Sequence, residues 1–238
     1  MADSEEQQPQ DADTLHPERV EGEAAGAKAL AVPEANLPTE ILALPLNQRP
    51  VFPSMMIPLA VPPGRLSDTI RLAIKARNGY VGFFLTAKPL DESGAYAFDD
   101  LAPIGSLARI VKSSDHEGGG VQVLVQVLSR FRIIELVARE PALLVRGEVL
   151  RGEIDAEDPQ VRAYAMAIVT ALKELIQHNP VFADEIKMVL ANFNSIDGPG
   201  RLADLAASLT TASRDDIQDV LATVPIVPRM EKVLALLA

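Results

Sequence analysis

Three features of the sequence predict an α+β fold. Between residues 41 and 150 the apolar residues come in short runs of strand composition, with one stretch at helical spacing. After Arg151 the hydrophobic period changes from two to 3.6 and holds to the end of the chain. The connections between the later strands are short, which predicts antiparallel neighbours. The first part is expected to be a sheet of about six strands with one helix, curled into a partly closed barrel. The second part is expected to be a set of packed helices. The predicted divisions are a tail over 1–36, a β domain over 37–152 and a helical domain over 153–238.

The tail mixes Glu, Gln, Asp, Ala and Pro with few large apolar groups, a composition that predicts disorder. It carries nine acids and two bases, so it holds −7 of the chain's net −11. "ILALPL" (41–46) and "MMIPLAV" (55–61) read as strands. Pro45 and Pro58 inside them predict edges or bulges. Leu66, Ile70, Ala73 and Ile74 recur at helical spacing, with Ser67 or Asp68 to cap the start and Asn78-Gly79 to stop it. "YVGFFLTA" (80–87) returns to strand, and a polar loop over 88–100 follows. Three or four further strands are expected over 104–113, 121–128, 131–138 and 143–150, with glycines 118–120 turning the first hairpin.

Asp158 and Pro159 start a helix whose inward face is Val161, Tyr164, Ile168, Leu172 and Leu175. Asn179-Pro180 ends it and begins a second, with Phe182, Ile186, Val189, Leu190 and Phe193 inward. "SIDGPG" (195–200) is expected to break the chain, and Leu202, Leu205 and Leu209 carry a third helix. Ser213 with Asp216 forms a capping-box variant for a fourth, with Ile217, Val220 and Leu221 inward. In "PRMEKVLALLA" (228–238) Met230, Val233, Leu234 and Leu237 form an apolar face that stops without a C-cap. The expectation is an exposed apolar helix that pairs with another chain or continues beyond Ala238.

Composition excludes several functions. The chain has no Cys, which removes disulfides, thiolate metal sites and thiol nucleophiles, and fits a reducing compartment. The N-terminus has neither a secretory apolar run nor the basic, acid-poor character of a transit peptide, so the expected location is the cytoplasm. Residues beyond the tail are nearly balanced in charge, which argues against nucleic acid. "PVFPSMMIPLAVPPG" (50–64) carries no charge, but it is too short and too rich in proline to span a bilayer. No catalytic constellation is present. His16, His116 and His178 are scattered, "GPGRLA" (198–203) lacks the third glycine of a dinucleotide loop, and "GGG" (118–120) is not followed by Gly-Lys-Ser/Thr. The pairs Asp99-Asp100 and Asp215-Asp216 read as a turn and a helix N-terminus. No metal or catalytic residue is assigned, and the chain by itself is not expected to be an enzyme.

"LPLNQRPVFPSMMIPLAV" (44–61), the Gly-rich hairpin, "VQVLVQVLSRFRIIEL" (121–136), "NSIDGPGRLADLAASL" (194–209) and "VPRMEKVLALL" (227–237) resemble, in order, the N-terminal region of Lon, the ATP-dependent protease. The resemblance implies a PUA-like β pseudobarrel followed by a helical bundle. It also implies a receptor portion of a hexameric protease, whose ATPase (with ATP and Mg) and Ser-Lys protease domains are absent from this chain. The implied function is recognition of unfolded or damaged protein substrates and support of assembly. A standalone adaptor of the same fold is the alternative, and a PUA-like RNA binder is a weaker one. Pro53, Met55, Met56 and Pro58 are the candidate substrate-binding residues, because thioether side chains repack against varied apolar partners. Neighbouring residues on a strand face opposite sides, so one of the two methionines is expected to be core.

Overall fold

The six strands are β1 (Glu40–Leu46), β2 (Met56–Val61), β3 (Tyr80–Leu85), β4 (Ile104–Asp115), β5 (Val121–Ala138) and β6 (Leu144–Leu150). They form one sheet in the order β2-β5-β4-β3-β1-β6, and β6 pairs again with β5. Five strands therefore return on themselves, and β2 is added outside that ring. In this computed structural model the described residues are 37–88, 96–116, 118–152, 154–178 and 198–237. Residues 37–238 make one compact unit. The helix expected over 180–193, the tail and most of the polar loop lie outside the described residues.

The later strands pair antiparallel as expected, whereas β1 and β3 are parallel, joined by a crossover through β2 and helix α1 (Arg65–Ala76). Residues 121–138 are one strand of 18 residues rather than two. Ser129-Arg130 reads as a turn in sequence, but a register shift at Leu128 absorbs it. The shift also reverses which residues face which side. Val121, Val123, Val125 and Val127 join a core with Leu42, Phe83 and Ile70 of α1. Beyond the shift, Phe131 joins a second core with Ile41, Phe84, Leu107 and Val145, to which each strand of the ring contributes. Pro45 is not on an edge strand throughout: β1 lies between β3 and β6. However, β6 pairs only with Glu40, Ile41 and Leu42, so that side is open where Pro45 lacks its N–H.

Helix α1 ends at Asn78-Gly79, both at positive φ (51° and 76°), as the sequence predicts. Its start differs slightly. Gly64 is the cap, and the Ser67 hydroxyl accepts from its N–H at 3.0 Å. Ile74, one of the residues at helical spacing, is exposed.

The described helices after the sheet are α2 (Pro159–His178), α3 (Gly198–Leu209), α4 (Arg214–Ala222) and α5 (Ile226–Leu237). Asp158 caps α2, its carboxylate accepting from the Gln160 N–H at 2.7 Å. Val161, Ala165, Ile168 and Leu172 of α2 share a core with Leu202, Ala206, Ile217, Leu221, Met230 and Val233. Gly198 to Gly200, expected as a break, form the buried first turn of α3. The apolar face of α5, expected to be exposed, is largely covered within the chain: it lies against α2 and α3, with Met230 and Val233 fully enclosed and Leu234 and Leu237 partly buried. The Ser213 hydroxyl accepts from the Asp216 N–H at 3.2 Å. Ser213→Ala should cost about 1 kcal/mol of stability, measured by urea denaturation; no change would show that the cap is satisfied without it.

Side chains carry the junction between sheet and helices. Arg130 of β5 makes a paired contact with Asp204 of α3, at 2.6 and 3.0 Å, and donates to the Leu221 carbonyl at 2.8 Å. Arg229 of α5 approaches the same carboxylate at 3.4 Å and donates to the carbonyls of Thr223 and Val224. All three side chains are nearly solvent-free. Burial pushes the Arg229 guanidinium down to about 10, against the pull of Asp204, so it stays charged at neutral pH. Arg214 and Gln218 of α4 add bonds to the carbonyls of Asn47, Thr86 and Ile104, and Arg49 reaches Thr210 from the other side.

Candidate binding surface

The uncharged run 50–64 crosses from the helical core to the sheet. Phe52 is fully buried among the helices, in the core that also holds Leu202 and Ile217. A tight turn follows with Ser54 at φ 69°. Ser54 donates to the Val127 carbonyl and Val127 donates to the Met55 carbonyl, each at 2.9 Å. Two residues thus oppose one, and β2 begins from a bulge. Met55 is half-buried and touches both the helical core and the core under α1. Its sulfur accepts from the Phe52 N–H at 3.3 Å.

On β2 the exposure alternates. Ile57, Leu59 and Val61 pack inward, while Met56, Pro58 and Ala60 face out, Met56 at 45% exposure. The expectation that one methionine is core and the other surface resolves as Met55 inward and Met56 outward. Among the described residues β2 pairs only with β5, from Met56↔Gln126 to Val61↔Val121. Counting by two from the Val127–Met55 bond, Ile57, Leu59 and Val61 are the hydrogen-bonded positions. The backbone groups of Met56, Pro58 and Ala60 turn to the free edge, and Pro58 removes one donor from it.

The four candidate residues do not form one cluster. Pro53 and Met55 line a cleft of about 70 Å³ with Arg201 and Leu205 of α3. Pro58 lines a groove of about 440 Å³ over the outer face of β2, β5 and β4, with Ala60, Leu124, Gln122, Lys112 and Ser114. Met56 stands one outward position along β2 from Pro58. Sequence reasoning does not single out Phe52 as the residue that anchors this run, although it is the only aromatic in it.

Among the described residues no group of His, Asp or Glu could hold a metal ion, and no helix is long and apolar enough to cross a membrane. A family model described as the ATP-dependent protease La (LON) substrate-binding domain matches residues 40–238. The chain belongs to the Lon substrate-binding domain family. Lon protease of Chlamydia pneumoniae is 34% identical over 204 residues, covering 86% of this chain and 24% of that protein. Lon protease 1 of Syntrophotalea carbinolica is 35% identical over 210 residues, covering 88% and 25%. The chain thus spans about a quarter of the length of these Lon relatives. The N-terminal domain of a Mycobacterium avium complex Lon protease shares the fold, with a TM-score of 0.65 at 18% identity over 83% of this chain and 97% of that one. The Lon N-terminal domain protein of Xanthomonas campestris superposes with a TM-score of 0.57, also at 18% identity, over 83% and 98%.

Three of the segments that carry the Lon resemblance meet in space. Residues 121–136 supply Arg130, residues 194–209 supply Asp204 and residues 227–237 supply Arg229. These parts of the Lon pattern therefore encode the joint between sheet and helices, whereas the stretch 44–61 supplies the outward edge.

Proposed function

We propose that this Lon domain is a substrate-recognition and assembly module of an ATP-dependent serine protease, and that it binds apolar segments exposed by unfolded or damaged proteins. The observation that carries this reading is β2 itself. It is an outward edge strand inside a run of fifteen uncharged residues, with Met56 exposed at its start. Natural edges are commonly guarded by charges, and here only proline does so. A flexible thioether beside unpaired backbone groups suits partners of varied sequence. The closed ring supports reading residues 37–152 as a PUA-like pseudobarrel, and the common helical core supports reading 153–238 as a bundle. On this reading the partners are unfolded proteins, the remainder of the Lon chain and neighbouring subunits of a cytoplasmic hexamer. ATP and Mg act in the ATPase portion, and this domain takes no cofactor, nucleic acid or membrane as partner.

Met56→Asp tests the reading. Binding of a fluorescent unfolded client should weaken about tenfold, while the melting temperature stays nearly unchanged because the side chain faces water. Unaltered affinity, or a collapse of stability, would count against a client-facing Met56.

A further inference from the structure

The groove over β2, β5 and β4 carries a charge asymmetry. Two rows cross its three strands in register, Pro58–Leu124–Lys112 and Ala60–Gln122–Ser114. Among the described residues Lys112 is the only charged one lining it; it is exposed and makes no hydrogen bond or ion pair with the others. The adjacent recess, which shares Ala60 and Gln122, is lined among the described residues by Val61, Pro62, Pro63, His116, Gly120 and Val121, none of them a carboxylate. Asp115, beside Ser114, is already held by Arg71 of α1 at 3.1 Å. The described residues of this groove thus combine apolar side chains with one cation that has no partner among them.

We propose that the groove recognises extended client segments in which apolar residues stand next to an acidic one. The apolar side chains lie on Pro58, Ala60 and Leu124, and the carboxylate is placed against Lys112. The proposal rests on the client-binding reading and adds a charge preference to it. Lys112 is then a specificity-determining residue, and an exposed cation of this kind discriminates by electrostatic complementarity more than it adds affinity.

The test uses the 238-residue chain and three fluorescein-labelled peptides of about ten residues, built from leucine, alanine and valine. One carries two aspartates, the second asparagine in their place and the third lysine. Fluorescence anisotropy should show the aspartate peptide binding about two- to fivefold more tightly than the asparagine peptide at low salt, as expected for an exposed ion pair. The preference should fade in high salt. Lys112→Gln should abolish it, and Lys112→Glu should shift it to the lysine peptide. Equal affinities for the aspartate and asparagine peptides, or an aspartate preference that survives Lys112→Glu, overturns the proposal. If the asparagine peptide binds and Met56→Asp weakens it, the client-binding reading stands while the charge preference falls; if none of the peptides binds, both fall.

Discussion

Replacing Asp204 by alanine should destabilise the domain by about 3–5 kcal/mol, because it leaves two guanidinium groups buried without their anion. Arg130 and Arg229 approach one carboxylate from a strand and from a helix, and both are nearly solvent-free. In a domain of this size the loss lowers the melting temperature by roughly 6–20 °C. With no Trp in the chain, the transition is best followed by circular dichroism. A loss below about 1 kcal/mol would show that the two arginines are satisfied by the carbonyls of Leu221, Thr223 and Val224 alone. Replacing all three charged residues by apolar ones of similar volume should cost far less than Asp204→Ala, since a buried ion cluster gains little over well-packed hydrophobes.

Phe52→Ala should be the second severe substitution, at about 3–5 kcal/mol. The ring is fully enclosed in the helical core, yet it belongs to the segment that leads into β2. Removing it opens a cavity at the junction of the two layers. Met55 stands beside it and can partly fill the space, which favours the lower end of that range. A fall in the urea midpoint with an unchanged slope is the expected signature. A near-neutral result would mean that the run 50–64 is held by its backbone bonds to Val127 and not by its aromatic anchor.

The elements legible in the sequence are those with local causes. The helix stop at Asn78-Gly79, the Asp158 and Ser213 caps and the alternation on β2 each follow from residues within a few positions of one another. What is not legible depends on distant chain. Nothing within a few positions of Arg130, Asp204 or Arg229 marks any of them for burial. Only the fold makes them neighbours. The same holds for α5, whose apolar face reads as unpartnered because the helices that cover it lie earlier in the chain. For the binding surface, periodicity separates the two methionines but does not say which is inside. The bulge at Ser54 and Met55 sets the phase of β2 and decides it.

The single long strand β5 has a consequence for sequence length. β4 runs along one of its edges, while β2 (opposite residues 121–126) and β6 (opposite residues 130–138) share the other. Residues 127–129 are therefore the place where the spacing between two pairings is counted. One residue more or less there would rotate half of β5 against its neighbours and turn Phe131 out of its core and Arg130 away from Asp204. The turn at Gly118 and Gly119, both exposed, lies outside that count, so a longer connection there leaves the register of β5 unchanged. Chains built on this plan are expected to vary in length at that hairpin and to keep an invariant count through the middle of β5.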